Sequence, residues 1–162
     1  MKFLTIIRHA KSDWSTEVDD IARPLNERGK NAVVLVGNYL EQQNIKPDLI
    51  ISSPATRAFE TAKAIAELVK YDLKKVKVEP VVYFGASSAI IDMLKELDNQ
   101  FNDVFLFGHE PILSSLISYF TKTTLEKFPT CSVFRIAFKI DNWSAIKTGN
   151  TDFFITPKQL TV

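Results

Sequence analysis

Residues 4–14, LTIIRHAKSDW, place four residues of strand character directly against an Arg–His pair. Leu4, Thr5, Ile6 and Ile7 suit a strand covered on both faces, because the apolar run is continuous rather than alternating. Arg8 and His9 then stand where that burial ends. Three further runs have the same character: Leu49–Ile51, Val76–Phe84 and Val104–Phe107. Between the runs the apolar spacing changes to a helical period. Asn26 is placed to cap a helix carrying Val33, Val36 and Leu40 on one face, ending near Asn44. A second helix follows Pro54, with Ala58, Ala62, Ile65 and Ala66 in register. Ser87 or Ser88 opens a third, and Pro111 suits the first turn of a fourth.

The tail is different. From Ser132 to Ile140, Phe134, Ile136, Phe138 and Ile140 alternate with Arg135, Ala137 and Lys139, the pattern of a strand with one face toward solvent. Trp143–Lys147, a turn at 148–151 and Asp152–Thr156 read as a hairpin or an edge strand. Together these elements predict an α/β protein. The expected architecture is a three-layer α/β/α sandwich whose central sheet is mostly parallel with an antiparallel edge. The expected organisation is a single domain over residues 1–162.

Bulk composition removes several classes of function. Twenty basic and nineteen acidic residues leave a net charge of +1, which offers no overall footprint for nucleic acid or an anionic membrane. The single cysteine, Cys131, excludes an intrachain disulfide framework and a cysteine-rich metal site. The stretch Phe3–Ile7 is too short for a signal-peptide core, and no apolar run approaches the ~20 residues of a membrane helix. A cytoplasmic protein is the expectation.

In open α/β sheets ligands sit beyond the carboxyl ends of the parallel strands. The first strand delivers Arg8 and His9 there. The second runs into SSPATRAFETA and delivers Arg57 in a helix's first turn. The run Val104–Phe107 ends in GHEP and delivers His109. Both histidines of the chain lie at such strand ends. Guanidinium groups pair with phosphate in bidentate geometry, and helix N-termini favour anions. A neutral imidazole attacks phosphorus, and nearby arginines disfavour its protonation. The set reads as a phosphoryl-transfer site. Two histidines flanked by arginines make a poor cation site, so no metal and no cofactor is expected.

These residues carry a family resemblance. IIRHAKSDW resembles the Arg-His-Gly motif of the histidine phosphatase superfamily, which includes the cofactor-dependent phosphoglycerate mutases. ARPLNERGKNAV, SSPATRAFETA and LFGHEP resemble its later landmarks in order, over roughly residues 2 to 120. The short chain is most similar to SixA-type phosphohistidine phosphatases. The resemblance implies a phosphoglycerate mutase-like fold and a phosphoric monoester hydrolase in which His9 becomes phosphorylated. Arg8, Arg57 and His109 would hold the phosphoryl oxygens, and water would release phosphate. Ser12 falls where relatives contact phosphate or substrate, with loop capping as its other reading. Arg23 either lines the pocket mouth or pairs with Asp19 or Asp20.

Two departures from the family pattern stand out. Ala10 replaces the motif glycine, which is harmless only at negative φ. The general acid is also unassigned: Glu110 follows the second histidine directly, and Glu79 lies near a strand. The 51 residues between Arg57 and His109 leave no room for a large lid. An open pocket and a protonatable nitrogen leaving group favour a phosphorylated protein, in particular protein phosphohistidine and hence signal transduction, over a sugar phosphate. The alternatives are a broad small-molecule phosphomonoesterase and a non-catalytic phosphate- or phosphoprotein-binding module.

Overall fold

The computed structural model describes residues 1–161. Six strands form one sheet in the order β3-β2-β4-β1-β5-β6. They are β1 (Lys2–Arg8), β2 (Leu49–Ser52), β3 (Lys77–Val78), β4 (Asp103–Gly108), β5 (Val133–Phe138) and β6 (Asn150–Ile155). The first four are parallel, and β5 and β6 complete the sheet through antiparallel pairings. The helices are α1 (Glu27–Gln42), α2 (Thr56–Leu68), α3 (Val81–Phe84), α4 (Ser87–Lys95), α5 (Ile112–Thr121) and α6 (Pro157–Leu160).

The central strands are apolar on both faces because each face has its own core. Leu4 and Ile6 of β1, with Val104 and Leu106 of β4, pack against Ile90 and Leu94 of α4 and Leu113, Leu116 and Phe120 of α5. Their neighbours Ile7, Phe105 and Phe107 point the other way, onto Val33, Val36 and Leu40 of α1 and Ala62, Ile65 and Ala66 of α2. The period-2 alternation of a strand thus feeds two helical layers, giving the α/β/α sandwich.

This arrangement also makes the site. The chain leaves β1 toward the α1–α2 face and leaves its neighbour β4 toward the α5 face. Adjacent parallel strands whose connections part to opposite sides open a crevice at their carboxyl ends. Arg8 pairs with Gly108 at that end, and the His9 N–H donates to the Gly108 carbonyl at 3.1 Å.

Four sequence expectations change. The run Val76–Phe84 supplies only the two-residue β3, because Pro80 has no N–H for a ladder and the chain turns into α3. Arg135 does not face solvent: it is 6% exposed, held by Asp103, Thr5 and Asp152. Trp143–Ala145 is a single 3₁₀ turn anchored by the buried Trp143, whose indole N–H donates to the Phe101 carbonyl, so only β6 forms the edge. Pro111 sits one position before α5, not in its first turn.

Candidate active site

A cleft of about 410 Å³ opens at the carboxyl end of β1 and β4. Its walls include Arg8, His9, Ser12, Arg57 and His109, brought together from three strand ends, and also Arg23. The His9 Nδ1 lies 2.7 Å from the Ala10 carbonyl oxygen. A carbonyl only accepts, so Nδ1 carries the proton and Nε2 keeps its lone pair. His9 is 8% exposed, and burial first, then His109, Arg57 and Arg8, push its pKa down to about 3. The neutral ring therefore owes more to burial than to the arginines. His109 lies 5.2 Å away, ring to ring, with its pKa pushed down to about 4 by burial and then by Arg57.

The backbone that carries His9 is braced on several sides. The Cys131 N–H donates to the carbonyls of both Arg8 and His9, each at 3.0 Å. The Ala10 N–H donates to the Thr61 hydroxyl at 3.0 Å, and that hydroxyl donates to the Arg57 carbonyl at 2.7 Å. One threonine thus ties the His9 loop to the helix turn bearing Arg57. Ala10 is fully buried and is not among the residues with positive φ, so its methyl is accommodated where relatives use glycine. The RPLNERG segment, residues 23–29, has a structural reason as well. Asn26 caps α1 by accepting from the Gly29 N–H at 2.8 Å, and a Cβ at Gly29 would collide with the Lys11 carbonyl.

The arginines are held but not neutralised to the same degree. Arg57 donates to the Asp20 carbonyl oxygen at 2.7 Å and to its carboxylate at 3.0 Å. Arg23 donates to the same carboxylate at 2.9 Å and to the Ser12 hydroxyl, and stacks 3.6 Å above the exposed Trp14 ring. Both sequence readings of Arg23 therefore hold: it pairs with Asp20 and lines the cleft. Arg8 donates to the Phe128 carbonyl at 3.0 Å, and burial first, then Arg57, lowers its pKa. Five buried side-chain polar atoms have no hydrogen-bond partner among the described residues. Four of them are the Nε atoms of Arg8, Arg23 and Arg57 and the Nδ1 of His109. Unpartnered buried nitrogens concentrated in one cleft are the donors an anion would satisfy.

Two contributors, Ser53 and Tyr83, lie outside the sequence reading, and Asp20, named there only as a partner for Arg23, also serves Arg57 and Tyr83. Ser53 places its hydroxyl 2.7 Å from His109 Nε2. Tyr83 packs edge-on against His109 and donates to the Asp20 carboxylate at 2.7 Å. Asp20 joins Arg23, Tyr83 and Arg57, and those donors hold its pKa well below the usual carboxylate range. Tyr83 is 63 residues from Asp20 and no local pattern links them. Ser53, just past β2, was open to the same strand-end reading that found His109.

The two acid candidates separate. Glu110 lines the cleft, but its carboxylate accepts the N–H and hydroxyl of Ser114, capping the start of α5. Glu79 pairs with Lys77 at 3.1 Å on the border of a different cavity. Among the described residues no three His, Cys, Asp or Glu side chains come together as a metal-ligand group, and no helix is long and apolar enough to cross a membrane.

Comparisons with known proteins bear on the family and the fold. Residues 4–80 match the family model described as histidine phosphatase superfamily (branch 1). An uncharacterised Mycobacterium tuberculosis protein is 27% identical over 157 residues, covering 88% of this chain and 93% of its own. The solved protein histidine phosphatase SixA, complexed with tungstate, superposes with a TM-score of 0.86 at 21% identity, covering 98% of this chain and 99% of its own. A mycobacterial glucosyl-3-phosphoglycerate phosphatase gives 0.69 at 15% identity, over 94% and 97% of the two chains.

Proposed function

This chain resembles the histidine phosphatase superfamily in both sequence and fold, and on that premise we propose that it hydrolyses protein phosphohistidine through a phosphoenzyme on His9. One observation carries the reading: a neutral imidazole with a fixed tautomer faces a cleft whose arginines retain unpartnered buried nitrogens. The lone pair on His9 Nε2 attacks phosphorus as the bond to the substrate nitrogen breaks, its electron pair returning to a ring that solvent has already protonated at the other nitrogen, so the leaving imidazole is neutral. Arg8, Arg57 and His109 hold the phosphoryl oxygens, and charge neutralisation by positioned donors lowers the barrier. Water then attacks phosphorus, releasing phosphate and restoring the ring. Ser12 contributes by orienting Arg23, since its hydroxyl is engaged there.

A protein substrate is favoured by what lies around the cleft. Among the described residues, the stretch between Arg57 and His109 is taken up by α2, β3, α3, α4 and β4 with no inserted cover, and the cleft wall includes the 80%-exposed Trp14. A nitrogen leaving group also places little demand on a built-in acid, in keeping with the prior engagement of Glu110 by Ser114. The tungstate bound by the SixA neighbour is a tetrahedral oxyanion, the shape of the phosphate this reaction would release.

The test is rapid-quench incubation with a ³²P-labelled phosphohistidine peptide. Wild type should acquire an acid-labile, alkali-stable label that His9→Ala lacks. Equal labelling and turnover in His9→Ala would remove the covalent step. Faster turnover of an aryl or sugar phosphate than of the phosphohistidine peptide would favour the small-molecule phosphomonoesterase. Tight binding of the peptide without turnover would favour a binding module.

A further inference from the structure

A second groove, about 680 Å³, opens beside the catalytic cleft. Lys11, Arg28 and Thr130 line both, so the two are continuous. One wall is a stripe of α1, where Arg28, Ala32 and Leu35 fall at i, i+4 and i+7, about two helical turns or ~11 Å. The other wall is formed by Lys127 and Pro129 with Pro157 and Lys158 at α6. No carboxylate side chain lines this groove, and none lies within ion-pair distance of Lys11, Arg28, Lys127 or Lys158 among the described residues.

The charge distribution gives the groove its meaning. Among the described residues, seven of the chain's twenty basic side chains line these two continuous cavities, against the one carboxylate of Glu110, which Ser114 engages. A net charge of +1 conceals this segregation. We propose that the groove docks an acidic, partly apolar polypeptide segment that flanks the phosphorylated residue of a protein substrate. The proposal rests on the phosphohistidine reading above and supplies its means of substrate choice.

Three features select this occupant. The cations are exposed and spread along both walls, so they match a row of carboxylates better than one small anion, which needs convergent donors. Between the cations the same walls present Ala32, Leu35, Pro129 and Pro157, apolar surface that a side chain covers and a free anion does not. It also lacks any aromatic ring on which nucleobases stack, and its concavity suits a segment better than a planar bilayer. Complementary charge beside a reactive site raises encounter rate and fixes register more than it adds affinity.

The test uses Lys127→Glu/Lys158→Glu, neither residue being part of the catalytic cleft. Fluorescence anisotropy compares a labelled peptide of Glu, Asp and Leu with its Gln/Asn/Leu counterpart. The acidic peptide should bind wild type about tenfold tighter at low salt, and both added salt and the double variant should erase the difference. Two phosphohistidine peptides, one with each flank, should show the same preference in kcat/KM, while turnover of the neutral-flanked peptide stays unchanged in the double variant. An acidic-flank preference that survives in the double variant, or equal binding of both flanks to wild type, overturns the docking surface and leaves the phosphatase reading intact. A Lys127- and Lys158-dependent affinity for an oligonucleotide or for phosphatidylserine vesicles, exceeding that for the acidic peptide, overturns it also. If wild type hydrolyses neither peptide, the phosphatase reading fails and the anisotropy comparison alone decides the docking surface.

Discussion

Arg57, in the first turn of α2, and Arg135, within β5, are each 6% exposed, yet they have opposite surroundings. Arg135 donates from Nε to Asp152 at 3.2 Å, from one terminal nitrogen to Thr5 and Asp103, and from the other to Asp103 at 2.7 Å. Its guanidinium also stacks on Phe3 at 4.3 Å. Nearby Lys2 is equally settled, donating to the Asn99 and Phe101 carbonyls and the Asn102 side chain. At the cleft, by contrast, three arginines keep an unpartnered buried Nε and share the single carboxylate of Asp20 or none. Burial alone does not distinguish a structural cation from a ligand-seeking one. Saturation of its donors does.

The contrast should break first at Arg135. Replacing it with alanine leaves Asp103 buried beside an unpaired Asp152, and should cost about 3–5 kcal/mol of unfolding free energy in urea titration, with activity per folded molecule unchanged. Stability equal to wild type would erase the distinction. Arg57→Ala should do the reverse. It should remove about 2–4 kcal/mol of transition-state stabilisation, read as kcat/KM, while shifting unfolding by less than ~1 kcal/mol. A large stability loss with intact catalysis would place Arg57 among the structural cations.

A smaller effect sharpens the comparison through the backbone. Gly29→Ala forces a methyl against the Lys11 carbonyl and should cost about 1–3 kcal/mol, with a loss of activity because Lys11 shares the His9 loop. Stability and activity both unchanged would show that the α1 packing does not support the site. The mildest probe is pH. His9 and His109 have folded pKa values near 3 and 4, below the ordinary 6.5, so the unfolded chain binds the extra protons. Their contribution to stability is full above pH 6.5 and is lost as pH falls toward 4 and 3, at up to ~1.4 kcal/mol per pH unit for each ring. Thermal melts between pH 7 and 4 should show this slope, and His9→Asn should flatten it. An unchanged slope in that variant would mean that the ring is not the buried neutral group described.

The parts legible in the sequence were those with local causes. Continuous apolar runs located β1, β2 and β4 because both faces of those strands are covered, and Asn26 located the start of α1 because a cap acts on its own helix. Arg8, His9, Arg57 and His109 were found because strand ends converge. Arg135 escaped because a charged residue at an alternating position looks like a solvent face until Asp103 and Asp152, 32 and 17 residues away, are brought to it. Asp20 with Tyr83, and the unbalanced charge around Lys11, Arg28, Lys127 and Lys158, depend equally on distant segments meeting.

His9 is aimed by the carbonyl of its own neighbour, with no acid behind it among the described residues. A carboxylate in that position would make the imidazole more basic and draw it toward the imidazolium; a peptide oxygen orients it without lending charge. The aim of the ring is therefore built into the main chain, where neither acidity nor ionic strength can switch it off.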